Sequence, residues 1–496
     1  MGPRLGIVLA GPLALLTVAL SPAGASEGVE KSGEFSRRPV AEFNDVPGPA
    51  VLSKDSVVLA GARKDEDFTG EKFLVRRFAL DGVEDKKFGE NANTPAYLPR
   101  GGRRFGHYFS DLAAKLDTAA GRSTKNHPNR LLPTGDGGWL VAGGVGGDDC
   151  KVLPALLKLK ADGSADGDFG TKGRTVLPAR GRTAGVTATA QLGEKKKALW
   201  LGLPTPRGFA LVRLDGAGAP DTKYGDDGYA FVLEPDDLMF VPQALFGGDD
   251  GAVTVAGCVS NRGGKWLAMA RVGADGKLDR DGFGTKGWLR LAQTRCEAWT
   301  SPPKNVGGTN RYLFSADAKI VATGGDKPGF VLAVDGEDAS GDVVDPIFGA
   351  KSLDWRRNVA GLVRVTADGA VDEKFGDKGV VPIVGPSKVP TAAAAIALGK
   401  DGELWVALVF RGKDGSSLAL RRFDAKGKPL KWGPTTARSK AKLDGDFLVF
   451  PEESGRDLHV RAMRVEGGEA VLFGYSAPRD VREGDPLQWK VWQVKE

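Results

Sequence analysis

The stretch Leu362-Val363-Arg364-Val365-Thr366-Ala367-Asp368-Gly369-Ala370-Val371-Asp372-Glu373-Lys374-Phe375-Gly376-Asp377-Lys378-Gly379 decides the fold. It opens with apolar residues alternating with a base, the period-two signature of a half-buried strand. It then turns at Asp-Gly, where Gly reaches positive φ without a Cβ clash and Asp bonds its own backbone. The same order returns with Arg77, Asp81-Gly82, Asp85 and Phe88-Gly89, and with Lys158, Asp162-Gly163, Asp166 and Phe169-Gly170. It returns again with Arg213, Gly218, Asp221 and Tyr224-Gly225, and with Arg271, Asp275-Gly276, Asp279 and Phe283-Gly284. A worn copy carries Arg422, Gly427, Leu430 and Trp432-Gly433.

The aromatic positions are 81, 55, 59, 92 and 57 residues apart, so a unit of about 57 residues is interrupted by two insertions. Upstream of each copy lies a β-prone run: Ser56 to Gly61, Gly138 to Gly144, Ala198 to Gly202, Ala252 to Gly257, Lys319 to Gly325 and Glu403 to Val409. A seventh, Glu469 to Gly474, is followed by Leu487 to Trp492 and then by the end of the chain, so it has no trailing motif. Seven β units of this length match the blades of an all-β, seven-bladed β-propeller, one domain over 26–496. A ring needs its ends joined, and Phe35 to Asn44 is the segment expected to complete the last blade. An open β-solenoid or two smaller β domains are the alternatives.

The base stands four positions before the turn in all six copies, and the second Asp follows the turn in five. The base is therefore expected to reach back across the turn to that Asp, with the aromatic covering the pair and plugging the gap to the next unit. Six identical ligand sites are the competing reading, but stacked repeats must each solve the same packing problem. The Asp-rich turns lack the ordered spacing and terminal Glu of an EF-hand loop.

The pattern Arg-φ-x-x-Asp-Gly-x-φ-Asp-x-x-Phe-Gly-x-x-Gly resembles the delta-60 repeat of exported bacterial proteins. The resemblance covers most of the chain after residue 25, with departures at Ala217, Lys426 and Leu430. It implies a propeller-like array and no particular activity, substrate or catalytic residue.

The chain has 496 residues and a net charge of +6; Gly, at 71 residues, lacks a collagen-like third-position period and fits many turns. Arg4, an uncharged apolar stretch from Leu5 to Leu20 and Ala23-Gly24-Ala25 read as a cleaved signal peptide over 1–25. The apolar stretch falls short of the roughly 20 residues that span a bilayer, and no later stretch is long and apolar enough. An exported product, periplasmic or extracellular and monomeric, is expected. Three His and three Cys leave little material for a metal centre, and no cofactor is expected. Cys258 with Cys296 is the preferred disulfide; three buried thiols are the alternative.

If recurrent residues serve the scaffold, specificity belongs to what occurs once. The insertion Asn91 to Arg130 carries seven bases against Asp111 and Asp117, and Ser110 to Ala120 reads as a short helix within it. Arg103, Arg104, His107 and Tyr108 are its candidate ligand-binding residues, a cationic and aromatic surface for an envelope polysaccharide or a protein partner. A basic loop packed on the scaffold is the plainer reading of the same residues. The second insertion, Gly336 to Asn358, reads as an exposed, mostly acidic loop. No catalytic residue is nominated: no nucleophile elbow, phosphate loop or cofactor fingerprint is present. A small excess of positive charge on an exported chain does not suit nucleic acid. A binding scaffold is the favoured reading. The alternative is a glycan-active hydrolase or lyase with carboxylates from different blades converging at the channel mouth.

Overall fold

The computed structural model describes residues 27–34, 46–64, 71–89, 127–146, 152–178, 180, 185–192, 198–248, 250–261, 264–291, 294–295, 319–323, 329–336, 360–385, 391–411, 415–433, 440–450, 453–478 and 488–495. Among the described residues the chain is all β, with one turn of 3-10 helix at Lys400–Gly402.

The strands form consecutive antiparallel meanders, here called units I to VII. Unit I comprises Val46–Leu52, Ser56–Lys64 and Glu71–Ala79; unit II comprises His127–Pro133, Trp139–Gly146, Val152–Leu159 and Arg174–Val176. Unit III holds Ala188–Leu192, Ala198–Thr205, Gly208–Leu214 and Tyr229–Leu233, and unit IV Met239–Gly247, Val253–Asn261, Gly264–Val272 and Trp288–Leu291. A single pair, Thr205 with Phe240, joins III and IV into one hydrogen-bonded sheet. Unit V holds Ile320–Ala322, Phe330–Gly336, Ala360–Val365 and Val380–Ile383. Unit VI holds Thr391–Leu398, Leu404–Arg411 and Gly415–Phe423, edged by Phe447–Val449. Unit VII holds Arg456–Glu466, Glu469–Pro478 and Gln488–Lys495.

The outer strand of unit VII is supplied from the other end of the chain: Glu27–Glu34 pairs with Gln488–Lys495 from Glu27↔Lys495 to Glu34↔Gln488. The clasp therefore lies just ahead of Phe35 to Asn44, the segment expected to form it, which falls outside the described residues. The fifth β-prone run is also corrected. Ile320–Ala322 is the first strand of unit V, and Phe330–Gly336 is the hairpin partner of Ala360–Val365. The insertion between Gly336 and Ala360 separates those two strands, which hid the true partner from a spacing argument.

The second and third strands are buried on both faces rather than half-buried, though outer strands such as Tyr229–Leu233 still alternate; Gly208–Leu214, for example, has only Arg213 partly exposed. Period two sorts residues between two neighbours instead of between core and water. Val57 and Leu59 pack on Val471 and Phe473 of unit VII, whereas Val58 and Ala60 pack on Val141 and Leu157 of unit II. Likewise Trp405 and Ala407 face unit VII while Leu404, Val406 and Leu408 face unit V. Apolar clusters of this kind link II to III, III to IV and IV to V as well. Each fully buried Val, Leu or Phe contributes about 1.5–3 kcal/mol, so these shared faces are the main source of cohesion.

The repeated motif does what its spacing predicts. Arg77 Nε donates to Asp85 at 2.8 Å, Arg213 Nε to Asp221 at 2.9 Å, and the Lys158 ammonium lies 2.7 Å from Asp166. Arg364 meets Asp372 at 3.3 Å, while Arg271 lies 3.7 Å from Asp279 and closer, at 2.5 Å, to Asp250. Where Leu430 replaces the acid, Arg422 turns to Glu403, just ahead of the neighbouring strand, at 2.5 Å. The aromatics Phe88, Phe169, Tyr224, Phe283, Phe375 and Trp432 are all buried against the following unit. The Gly after the aromatic donates its N–H to the carbonyl just before the next unit's turn glycine: Gly89 to Asp162, Gly170 to Ala217, Gly284 to Asp368 and Gly376 to Lys426, at 2.6–3.0 Å. In unit VII, which lacks the motif, Trp489 takes the aromatic's place beside Gly82 of unit I.

Candidate ligand-binding site

The first strands of the units line the centre, and each contacts the next at I–II, II–III, III–IV, V–VI, VI–VII and VII–I. In five of them the ladder slips: between Pro47 and Ala50, Pro128 and Arg130, Pro242 and Ala244, Ala393 and Ala395, and Val460 and Ala462. Three slips follow a proline, which has no N–H to give the ladder. Each slip releases a residue from pairing, among them Asn129, Gln243 and Arg461.

These residues build a polar crossing at the centre. Asn129 Nδ2 donates to the Val186 carbonyl at 2.8 Å. Arg130, 1% exposed, reaches past unit III and donates Nη2 to the Gln243 carbonyl at 2.6 Å and to its Oε1 at 3.3 Å. Gln243 is fully buried, and its Nε2 has no hydrogen-bond partner among the described residues. Arg461 Nη2 donates to the Tyr475 hydroxyl at 2.8 Å, its guanidinium lying 5.1 Å from that ring.

Beside this crossing is an axial cavity of about 360 Å3, lined by Val51, Leu131, Thr189, Leu245, Ile320 and Arg461 among others. No carboxylate is among its described lining residues, and no cluster of metal-ligating side chains occurs among the described residues. The cavity presents apolar walls and one cation, and its described lining supplies no acid pair for glycoside hydrolysis.

Strand direction separates the two ends of the molecule. Connections from first to second strand and from third to fourth lie at the end where first strands finish; those at 53–55, 134–138, 248–252, 399–403 and 467–468 are short turns. These connections include the motif turns, whose Thr285-Lys286-Gly287-Trp288 has two residues at positive φ, as a type I′ hairpin requires. Links between second and third strands, and between units, open at the opposite end. The segment 337–359 leaves from and returns to that end; 90–126 departs from Gly89 at the motif-turn end and rejoins the fold at the opposite end, where His127 begins its strand.

Arg103, Arg104, His107, Tyr108 and the Ser110 to Ala120 helix fall outside the described residues. The end of that insertion is corrected: His127 to Arg130 belong to the first strand of unit II, and Arg130 is a buried cross-axis donor, not a loop base. Cys258 is buried and disulfide-bonded, its partner lying outside the described residues. Sequence reasoning missed the Arg130 and Gln243 crossing. Its available signal was a proline one or two residues ahead of a polar side chain in an otherwise apolar run, at Pro128 and Pro242.

No protein-family model and no curated protein matches the chain. Among solved structures, the chain is similar to the β-propeller domain of the trilobed protease from Pyrococcus furiosus, at 8% identity over 90% of this chain and 93% of that one, with a TM-score of 0.39. It is similar to a polysaccharide lyase at 7% identity over 95% and 99%, with a TM-score of 0.37. An α-L-arabinofuranosidase from Podospora anserina matches at 9% identity over 66% and 94%, with a TM-score of 0.29. Overlaps this loose carry no inference about chemistry.

Proposed function

We propose that the chain is a seven-bladed β-propeller of the delta-60 type, exported after removal of residues 1–25 and acting as a monomeric binding scaffold. Its partner is an envelope polysaccharide or an envelope protein. Support for the ring comes from the alternating apolar faces, which join each unit to the next and unit VII back to unit I, and from the strand exchanged between the chain ends. The observation that carries the functional reading is the sorting of connections. Both insertions rejoin the strands at one end, at His127 and Ala360, while the other end carries the repeated motif turns.

A site built on that end takes its charge from Arg100, Arg103, Arg104, Lys115, Arg122 and Lys125 and its ring surfaces from Phe105 and Tyr108. Guanidinium forks pair carboxylates, and aromatic faces stack on sugars. Cys258 pairs with Cys296 in this reading, because Thr294–Arg295 lies beside Gly264–Val272, the strand that faces Cys258 in register at Leu267. The test is retention of the protein on an immobilised acidic glycan, comparing the native chain with Arg103→Ser/Arg104→Ser. Weaker retention of the variant is expected, and equal retention would remove the site. Release of new sugar ends from that glycan would replace the scaffold reading with a catalytic one.

A further inference from the structure

In unit IV the residue across from the motif base is polar, whereas in units I, II and V it is the aliphatic Val58, Leu140 and Val331. In units III and VI a tryptophan on the second strand stands directly across from the motif base: Trp200 from Arg213 and Trp405 from Arg422. Its other register neighbour is small, Ala190 or Ala397. Each indole faces the next unit and lies under the guanidinium, at 5.7 Å and 5.0 Å. Unit IV inverts this arrangement. Thr254 stands across from Arg271, and Phe246 takes the place of the alanine.

Bulk moved to the first strand does not refill the space that the indole occupies in units III and VI. A cleft of about 700 Å3 opens there, lined by Phe246, Thr254, Arg271, Ala322, Phe330 and Val365 among others. That size lies within the range of small-molecule sites, roughly 300–1,000 Å3. The Phe246 and Phe330 rings meet at 5.0 Å, tilted by 55°. Arg271 is already neutralised by Asp250 at 2.5 Å, so a free anion gains little there. A visiting group meets instead a guanidinium face and ring surfaces, which favour a flat aromatic partner.

We infer that the cleft between units IV and V binds a planar aromatic group of about indole size, the chemistry with which the chain itself fills this position in units III and VI. The site lies at the tight-turn end, opposite the proposed partner surface, and stands or falls independently of it.

The probe is 5-fluoroindole, observed by fluorine NMR line broadening with the full chain. Saturable broadening is expected with the native protein. Phe246→Ala/Thr254→Trp restores the arrangement of units III and VI and fills the cleft from within, and binding is expected to weaken by about tenfold or more. Should that variant fail to fold, Thr254→Leu intrudes less and is expected to weaken binding severalfold. An absence of saturable broadening with the native chain, or undiminished binding in a folded filled variant, would overturn the inference.

Discussion

Two glycines in one turn separate the inter-unit junction from the turn itself. Gly218 has φ +86°, and a Cβ there would stand 2.7 Å from the Phe169 ring of unit II and 2.8 Å from Thr175 Oγ1. Its carbonyl accepts from Thr175 Oγ1 at 3.1 Å, and the preceding Ala217 carbonyl accepts the inter-unit bond from Gly170. Gly216, two residues earlier, has nothing within 4 Å of an added Cβ. Gly218→Ala pays the left-handed backbone cost of roughly 1–2 kcal/mol and an overpacking cost of roughly 1–3 kcal/mol. The expected destabilisation is therefore about 2–5 kcal/mol, whereas Gly216→Ala should stay within about 0.5 kcal/mol. Equilibrium urea unfolding measures both, and amide exchange at Gly170 reports the junction directly. Equal effects of the two substitutions, or a Gly218→Ala loss without faster exchange at Gly170, would refute the argument that the turn glycine serves the contact between units.

Tyr224 buries a hydroxyl that has no hydrogen-bond partner among the described residues, and burial pushes its pKa up. Phe stands at the same place in four other copies, so Tyr224→Phe should stabilise by about 1 kcal/mol, read from the urea midpoint. Asp136 is held at about 2, below its ordinary 3.8, by hydrogen bonds from the Lys158 ammonium and the Thr134 hydroxyl, which outweigh the upward push of burial. A depressed acid stabilises above its unfolded pKa, and that contribution disappears as pH falls from about 4 through about 2. Asp136→Asn should therefore flatten stability against pH in that window; an unchanged slope speaks against the pair. Alkylation of the unreduced, denatured protein should label one thiol, and none in Cys150→Ser; three labelled thiols would eliminate the bridge.

The motif disclosed its own geometry because a base, an acid and a ring at fixed offsets across a hairpin have few ways to meet. Arg213, Asp221 and Tyr224 lie together for that reason. Burial was misjudged because alternation records only that successive side chains point to opposite faces. It does not say whether the second face meets water or another sheet, and at Val57 to Ala60 both faces meet sheets. The strand that hairpins with Ala360–Val365 was assigned one strand too early, since a long insertion separates it from its partner. The Arg130 and Gln243 crossing was illegible because it joins residues 113 positions apart through a slip in pairing that leaves no periodic trace.

The strand swap at Glu27–Glu34 imposes an order on assembly. The strand Glu27–Glu34 can find its mate only after synthesis has reached Lys495, so a product terminated before that carries an unsealed rim, ready for proteases or for stray pairing. Relocating the termini to the turn at Gly216, with the old ends linked, makes the sealing step a local hairpin and should hasten it.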